Sequence, residues 1–170
     1  MEKVNPVILV DTREKAPLHF EHYQTEAATL TTGDYSIKGM ESAFSIERKS
    51  TPDLIASLTR DRDRFTRELE RLRGYRFKRL LIEGTIDQIR MHDYRSLATP
   101  AAVLGSLNAL EVRFNIPVVF AGTRIHAAEL IEQWAFYYLR EQVKHAQSII
   151  ALTDPQASHK EENEVNPCTH

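Results

Sequence analysis

The 170-residue sequence contains one cysteine, Cys168, close to its C-terminus. That excludes an internal disulfide, and a cysteine-rich zinc site lacks its ligands. Long apolar runs are also missing. No stretch approaches the roughly 18 consecutive apolar residues of a membrane span, and the start, Met1-Glu2-Lys3-Val4-Asn5-Pro6, lacks the basic-then-apolar pattern of a secretory signal. An intracellular protein without a membrane partner is expected. Nor is one sign of charge in excess: 22 Lys and Arg against 24 Asp and Glu leave a net charge of -2, which excludes a bulk DNA coater of the histone kind. The chain has no internal repeats and no low-complexity blocks, so neither a solenoid nor global disorder is expected.

Hydrophobic residues make up 42% of the chain, enough for one core, and the length suits a single domain. We expect that domain over residues 1–152 and a polar, flexible tail over 153–170. Val7-Ile8-Leu9-Val10 is a continuous apolar run stopped by Asp11 and reads as a buried strand. Ala27 to Thr31 reads as a short strand. After the turn at Gly33, Asp34 to Ile37 and Ala43 to Lys49 read as a hairpin. Thr51 caps a helix that opens at Pro52 and runs to Leu58, and Asp61 to about Arg73 places Phe65, Leu69 and Leu72 on one helical stripe. Arg79 to Gly84 is a strand, Thr85 to Arg90 a short helix, and Thr99-Pro100 opens a longer one. Pro117 to Phe120 is the last strand, and a long helix covers about Arg124 to Ile150. Alternation of strands and helices predicts an α/β mixed sheet flanked by helices.

The chemistry gathers at strand ends. On a strand, Glu47 and Lys49 share one face while Ile46 and Arg48 point to the other. Asp34, at the start of the partner strand, then approaches Glu47, so two carboxylates meet one lysine. Such a pair suits Mg²⁺, which needs few protein carboxylates and keeps water ligands free for phosphate. Asp11 is a third candidate carboxylate and Glu83, ending the Leu80–Ile82 strand, a fourth. Arg13 is placed either to contact phosphate or to hold the carboxylates, with Glu14 beside it. Between Glu47 and Arg79 eleven basic residues face six acidic ones. The arginines near Asp61, Arg60 and Arg64 among them, are either a solvated helix face or a phosphate track. None of the histidines neighbours these acids in sequence.

Val10-Asp11-Thr12-Arg13-Glu14, Gly33-Asp34-Tyr35 and Glu47-Arg48-Lys49-Ser50-Thr51-Pro52-Asp53 resemble the ordered motifs of the XPF/Mus81/Hef-type structure-specific endonucleases. The resemblance runs from about Val7 to Ile150. It implies a restriction-endonuclease-like fold; cellular members typically carry tandem helix-hairpin-helix modules as well, for which 170 residues leave no room, so a stand-alone nuclease domain is expected. The resemblance also implies metal-dependent cleavage of branched or single-strand/double-strand junction DNA, with a 5'-phosphate and a 3'-hydroxyl as products, in repair or recombination. Carried over by position, Asp34 and Glu47 bind Mg²⁺, or Mn²⁺ in its place, with Asp11 nearby. Lys49 is catalytic, and Arg48 and Asp53 support the site together with Arg13, Glu14 and Glu83. A homodimer or heterodimer through the late strand and terminal helices is implied as well. Trp134 and Tyr138 are placed either at that interface or in the core. A non-catalytic DNA-binding scaffold that partners a related nuclease stands as the alternative, and a nuclease for RNA or linear DNA ends as a third reading.

Overall fold

A computed structural model of the protein describes residues 4–153, so most of the expected tail and Cys168 lie outside the described residues. Six strands form one sheet in the order β2-β1-β3-β4-β5-β6. They are β1 (Ile8–Asp11), β2 (Thr25–Ala28), β3 (Tyr35–Ile37), β4 (Phe44–Ser50), β5 (Phe77–Glu83) and β6 (Val118–Phe120). The helices are α1 (Thr51–Leu58), α2 (Arg62–Leu72), α3 (Ile86–Arg90), α4 (Pro100–Phe114) and α5 (Arg124–Thr153). The α/β mixed sheet flanked by helices is as expected. Among the described residues no helix is long and apolar enough to cross a membrane.

Strand direction explains where the polar chemistry lies. β1 runs parallel to β2 and antiparallel to β3, β3 is antiparallel to β4, and β4, β5 and β6 are mutually parallel. The C-terminal ends of β1, β4, β5 and β6 therefore share one rim with the N-terminal end of β3. Asp11, Asp34, Lys49, Glu83 and the start of α5 fall on that rim, where open α/β sheets place their ligand sites.

Each face carries its own core. Leu80 and Ile82 of β5 pack with α1 to α4 through Leu54, Phe65, Leu69, Leu107 and Phe114. Ile8, Tyr35, Phe44, Ile46 and Leu81 pack on the other face against Ala127, Ala128, Ile131 and Ala135 of α5. Trp134 and Tyr138 are partly buried against this second core, and both lie on the Phe77 ring. Alternation along β4 thus sends Glu47 and Lys49 toward α1 and α2, and Arg48 toward α5.

Several expected boundaries shift for local reasons. Ser50, not Thr51, caps α1, because its hydroxyl accepts from the Asp53 backbone N–H and Thr51 already has helical geometry. The short strand is Thr25–Ala28 rather than Ala27 to Thr31, since Leu30 turns its N–H to the Asp11 carboxylate at 2.8 Å. β5 begins earlier, at Phe77, whose ring stacks on Phe44 with centroids 4.6 Å apart.

Candidate active site

Gly33 permits the turn that delivers Asp34. Its φ is +81°, and a Cβ there would lie 2.2 Å from Ser45 Oγ and 2.9 Å from the Ile46 carbonyl, so only glycine fits. Asp34 is then fixed by its backbone from both sides: its N–H donates to Ile46 O at 2.8 Å and its carbonyl accepts from Asp11 N at 2.9 Å. The Arg48 backbone N–H donates to Asp34 Oδ2 at 2.8 Å.

Burial and the neighbouring Glu47 push Asp34 up to about 8, and the Arg48 N–H only partly opposes this. Glu47 is likewise raised by burial, against the pull of Lys49. Lys49 Nζ donates to Glu47 Oε1 at 2.9 Å, sits 3.8 Å from Glu68 Oε2 and lies 4.8 Å from the Phe65 ring centroid. Burial alone would lower its pKa; the charge and hydrogen bond of Glu47, together with the charges of Glu68 and Asp34, outweigh this and hold the ammonium protonated. Ionised together, the two desolvated carboxylates would outnumber the one lysine, and without a cation the site relieves this by holding a proton on Asp34.

The remaining predicted residues divide into those that hold the pair and those that surround it. Asp11 is buried and its carboxylate is saturated: Oδ1 accepts from Arg13 Nε at 2.7 Å and from the Arg13 backbone at 2.9 Å, and Oδ2 from Arg13 Nη2 at 3.0 Å and Leu30 N at 2.8 Å. Burial works to raise Asp11, but these donors win and hold its pKa below the ordinary carboxylate range. Arg13 therefore grips Asp11 rather than the Asp34–Glu47 pair. Glu83 and Glu14 both bond the Arg48 guanidinium, with Glu14 Oε2 2.9 Å from Nη2. Asp53 accepts from the Ser50 hydroxyl at 2.7 Å and fixes the start of α1. Arg60 and Arg64 are exposed on the rim, paired only loosely with Asp61 at 3.6 and 3.8 Å.

Two hollows meet on Asp34 and Glu47. One, of about 510 Å³, runs past Lys49, Arg48, Asp53, Arg60 and Glu83; the other, of about 390 Å³, runs past Asp11, Gly33, Glu68 and Arg71. Arg13 and Arg64 border both. Glu68 and Arg124 escaped the sequence reading, while Arg71 belongs to the arginine-rich helix read as a solvated face or a phosphate track. The spacing of Glu68 four residues after Arg64 is a helix signal, whereas nothing in the sequence around Arg124 brings it to this rim.

Among the described residues no group of three or more His, Cys, Asp and Glu is arranged to hold a metal ion. Asp34 and Glu47 nevertheless suit a hard divalent cation, because each is an oxygen donor, each is desolvated, and each raises the other's cost of ionisation. Mg²⁺ is commonly bound by one or two carboxylates plus water and substrate phosphate, so a third side-chain ligand is not required.

A mixed sheet with acids and a lysine on the rim of its parallel strands defines an α/β protein of the restriction-endonuclease-like class. The ERCC4 domain family model matches residues 10–134, and the chain belongs to that family. Among solved structures, XPF from Aeropyrum pernix is similar with a TM-score of 0.62 and 23% identity over 76% of this chain and 60% of that one. The same protein in complex with DNA matches with a TM-score of 0.62 and 20% identity over 98% of this chain and 76% of that one. This chain thus spans less than two thirds of the first of those structures. No curated protein is similar enough in sequence to count as a relative.

Proposed function

We propose that the protein is a divalent-metal-dependent DNA endonuclease that hydrolyses phosphodiester bonds at branched or junction DNA. The observation that carries this reading is the half-buried Asp34–Glu47 pair beside Lys49, facing an open groove on the strand-end rim. Asp34 and Glu47 would hold Mg²⁺, or Mn²⁺ in its place, with Asp11 alongside; bound there, the ion supplies positive charge for the phosphate and a more acidic water.

The chain's own groups have separate tasks. Lys49, kept protonated by Glu47, offers an N–H to charge that builds on phosphate oxygens. Arg48 turns its backbone N–H to Asp34 and orients that carboxylate, while Glu14 and Glu83 fix the arginine itself. Asp11 locks Arg13 on the groove wall with most of its side chain exposed and its Nη1 left to meet a phosphate. Exposed Arg60 and Arg64 extend that contact along the rim. Asp53 secures the end of β4 by bonding Ser50.

DNA is the proposed substrate partner, and a second protein copy or a related chain is the proposed dimer partner. The apolar side chains left exposed at the end of α5, Ile149, Ile150 and Leu152, and the open edge at β6 support a dimer contact. The test is cleavage of a labelled fork by the wild type and by Asp34→Ala, Glu47→Ala and Lys49→Ala across a Mg²⁺ titration. The two acid variants should lose their response to the ion, and Lys49→Ala should lose rate more than DNA affinity. Unchanged rates in all three would remove Asp34, Glu47 and Lys49 as the active site, whereas no cleavage of any DNA by the wild type would favour a scaffold role.

A further inference from the structure

The loop between β1 and β2, residues 12–24, forms no strand or helix, yet it carries groups that the site depends on. Glu14 bonds Arg48, and the Leu18 N–H donates to Tyr35 Oη at 2.9 Å. Two residues of α5 grip the same loop. Glu132, itself buried, accepts from the His22 backbone N–H at 2.8 Å and pairs with its Nδ1 at 2.8 Å. Arg124, the first residue of α5, donates from Nη2 to the carbonyls of Ala16 and Pro17, both at 3.0 Å, and from Nη1 to Glu83 Oε1 at 3.4 Å.

Arg48 uses two of those same acceptors, Glu83 Oε1 and Ala16 O. The guanidiniums of Arg48 and Arg124 thus share one carboxylate oxygen and one loop carbonyl. Like charges so placed stay together only because Glu14 and Glu83 balance them. A flat, forked donor is required at Arg124, since it reaches three acceptors on two separate segments; a lysine ammonium on its single flexible stem does not reproduce that geometry.

We infer that Arg124 is a positioning residue of the active site. It ties the 14–17 segment to the start of α5 and steadies Glu83, and so keeps Arg48 in the place from which its backbone N–H orients Asp34. The inference rests on the proposed nuclease function for its catalytic consequence, but the tether itself is a property of the fold. It differs from a simple phosphate contact, for which a half-exposed arginine on a groove wall is also suited.

Arg124→Gln and Arg124→Lys in the full chain separate these roles, after circular dichroism confirms that both melt as the wild type does. Trypsin nicking after exposed Lys15, followed by mass spectrometry, reads the tether without any activity. Steady-state cleavage of a labelled fork reads the site. Both variants should be nicked faster at Lys15, require about 10-fold more Mg²⁺ for half-maximal rate and lose kcat, with KM for DNA nearly unchanged. Recovery of wild-type behaviour by Arg124→Lys, or a change in KM alone with nicking unaltered, overturns the inference in favour of a phosphate contact. Should the wild type cut no DNA, the proposed function fails separately, and nicking decides the inference: faster in both variants supports the tether, unchanged removes it.

Discussion

Lys49 Nζ lies 2.9 Å from Glu47 Oε1, two residues back on the same face of β4, and both side chains are largely withdrawn from solvent. The strand pleat makes this neighbourhood unavoidable. Glu47 thereby has one cation of the protein's own, whereas Asp34 has only a backbone N–H.

Lys49→Ala removes the ammonium and frees Glu47 from its partner. The expected result is a loss of roughly 10²–10³ in kcat, the scale for removing one donor to developing charge. DNA affinity, measured by fluorescence anisotropy in Ca²⁺, should change by far less, because Arg13, Arg60 and Arg64 remain.

The pH dependence follows from Asp34. An ordinary aspartate ionises near 3.9, while burial and Glu47 push Asp34 up to about 8 in the folded protein. The folded state therefore holds this proton longer than the unfolded state, and stability falls as pH rises from about 4 to about 8. A cation at the pair offsets that loss. The rise in Tm on adding Mg²⁺ should accordingly be larger at pH 8 than at pH 5.5, and Asp34→Asn should raise Tm at pH 8 without metal while abolishing most of the Mg²⁺ response. An equal Mg²⁺ shift at both pH values would count against the cation reading.

Gly33→Ala should cost about 1–3 kcal/mol, because it forces an L residue into the left-handed region, with a further clash against Ser45 Oγ and Ile46 O. The midpoint of urea denaturation measures it. Activity should fall further than stability alone explains, since the same turn aims Asp34.

A second titration is that of His22, which is held by Glu132. The hydrogen bond and charge of Glu132 raise the His22 pKa, so the pair's contribution is present below pH about 6.5 and is lost as pH rises through the higher folded value. An NMR titration should place His22 above 6.5 in the wild type and move it back toward 6.5 in Glu132→Gln. An unchanged His22 would remove Glu132 as the cause.

The fold was readable where periodicity was strong. The β1 run stopped at Asp11, the hairpin at Gly33 and the stripe of Phe65, Leu69 and Leu72 each announce one element, and the structure has them. The Glu47–Lys49 juxtaposition was legible because it depends only on the two-residue period of a strand. Asp34 beside Glu47 followed once the hairpin was read. Asp11 was harder: its position at the strand end was clear and its grip by Arg13 was one of two readings, but the Leu30 N–H that completes its hydrogen bonds depends on how the chain leaves β2, for which the sequence has no periodic signal. Arg124 was invisible for a related reason. It reaches the rim only because β6 is parallel to β5 and deposits the start of α5 beside Glu83, a consequence of long-range strand order that local pattern does not encode.

The most direct test compares cleavage of a labelled fork, a flap and a linear duplex in Mg²⁺, in Mn²⁺ and in chelator, by the wild type and by Lys49→Ala. The account predicts that the wild type cuts the fork or flap in preference to the linear duplex, only with a divalent ion, and that Lys49→Ala cuts none of them at a comparable rate. Cleavage that persists in chelator, or that Lys49→Ala performs as well as the wild type, would contradict it.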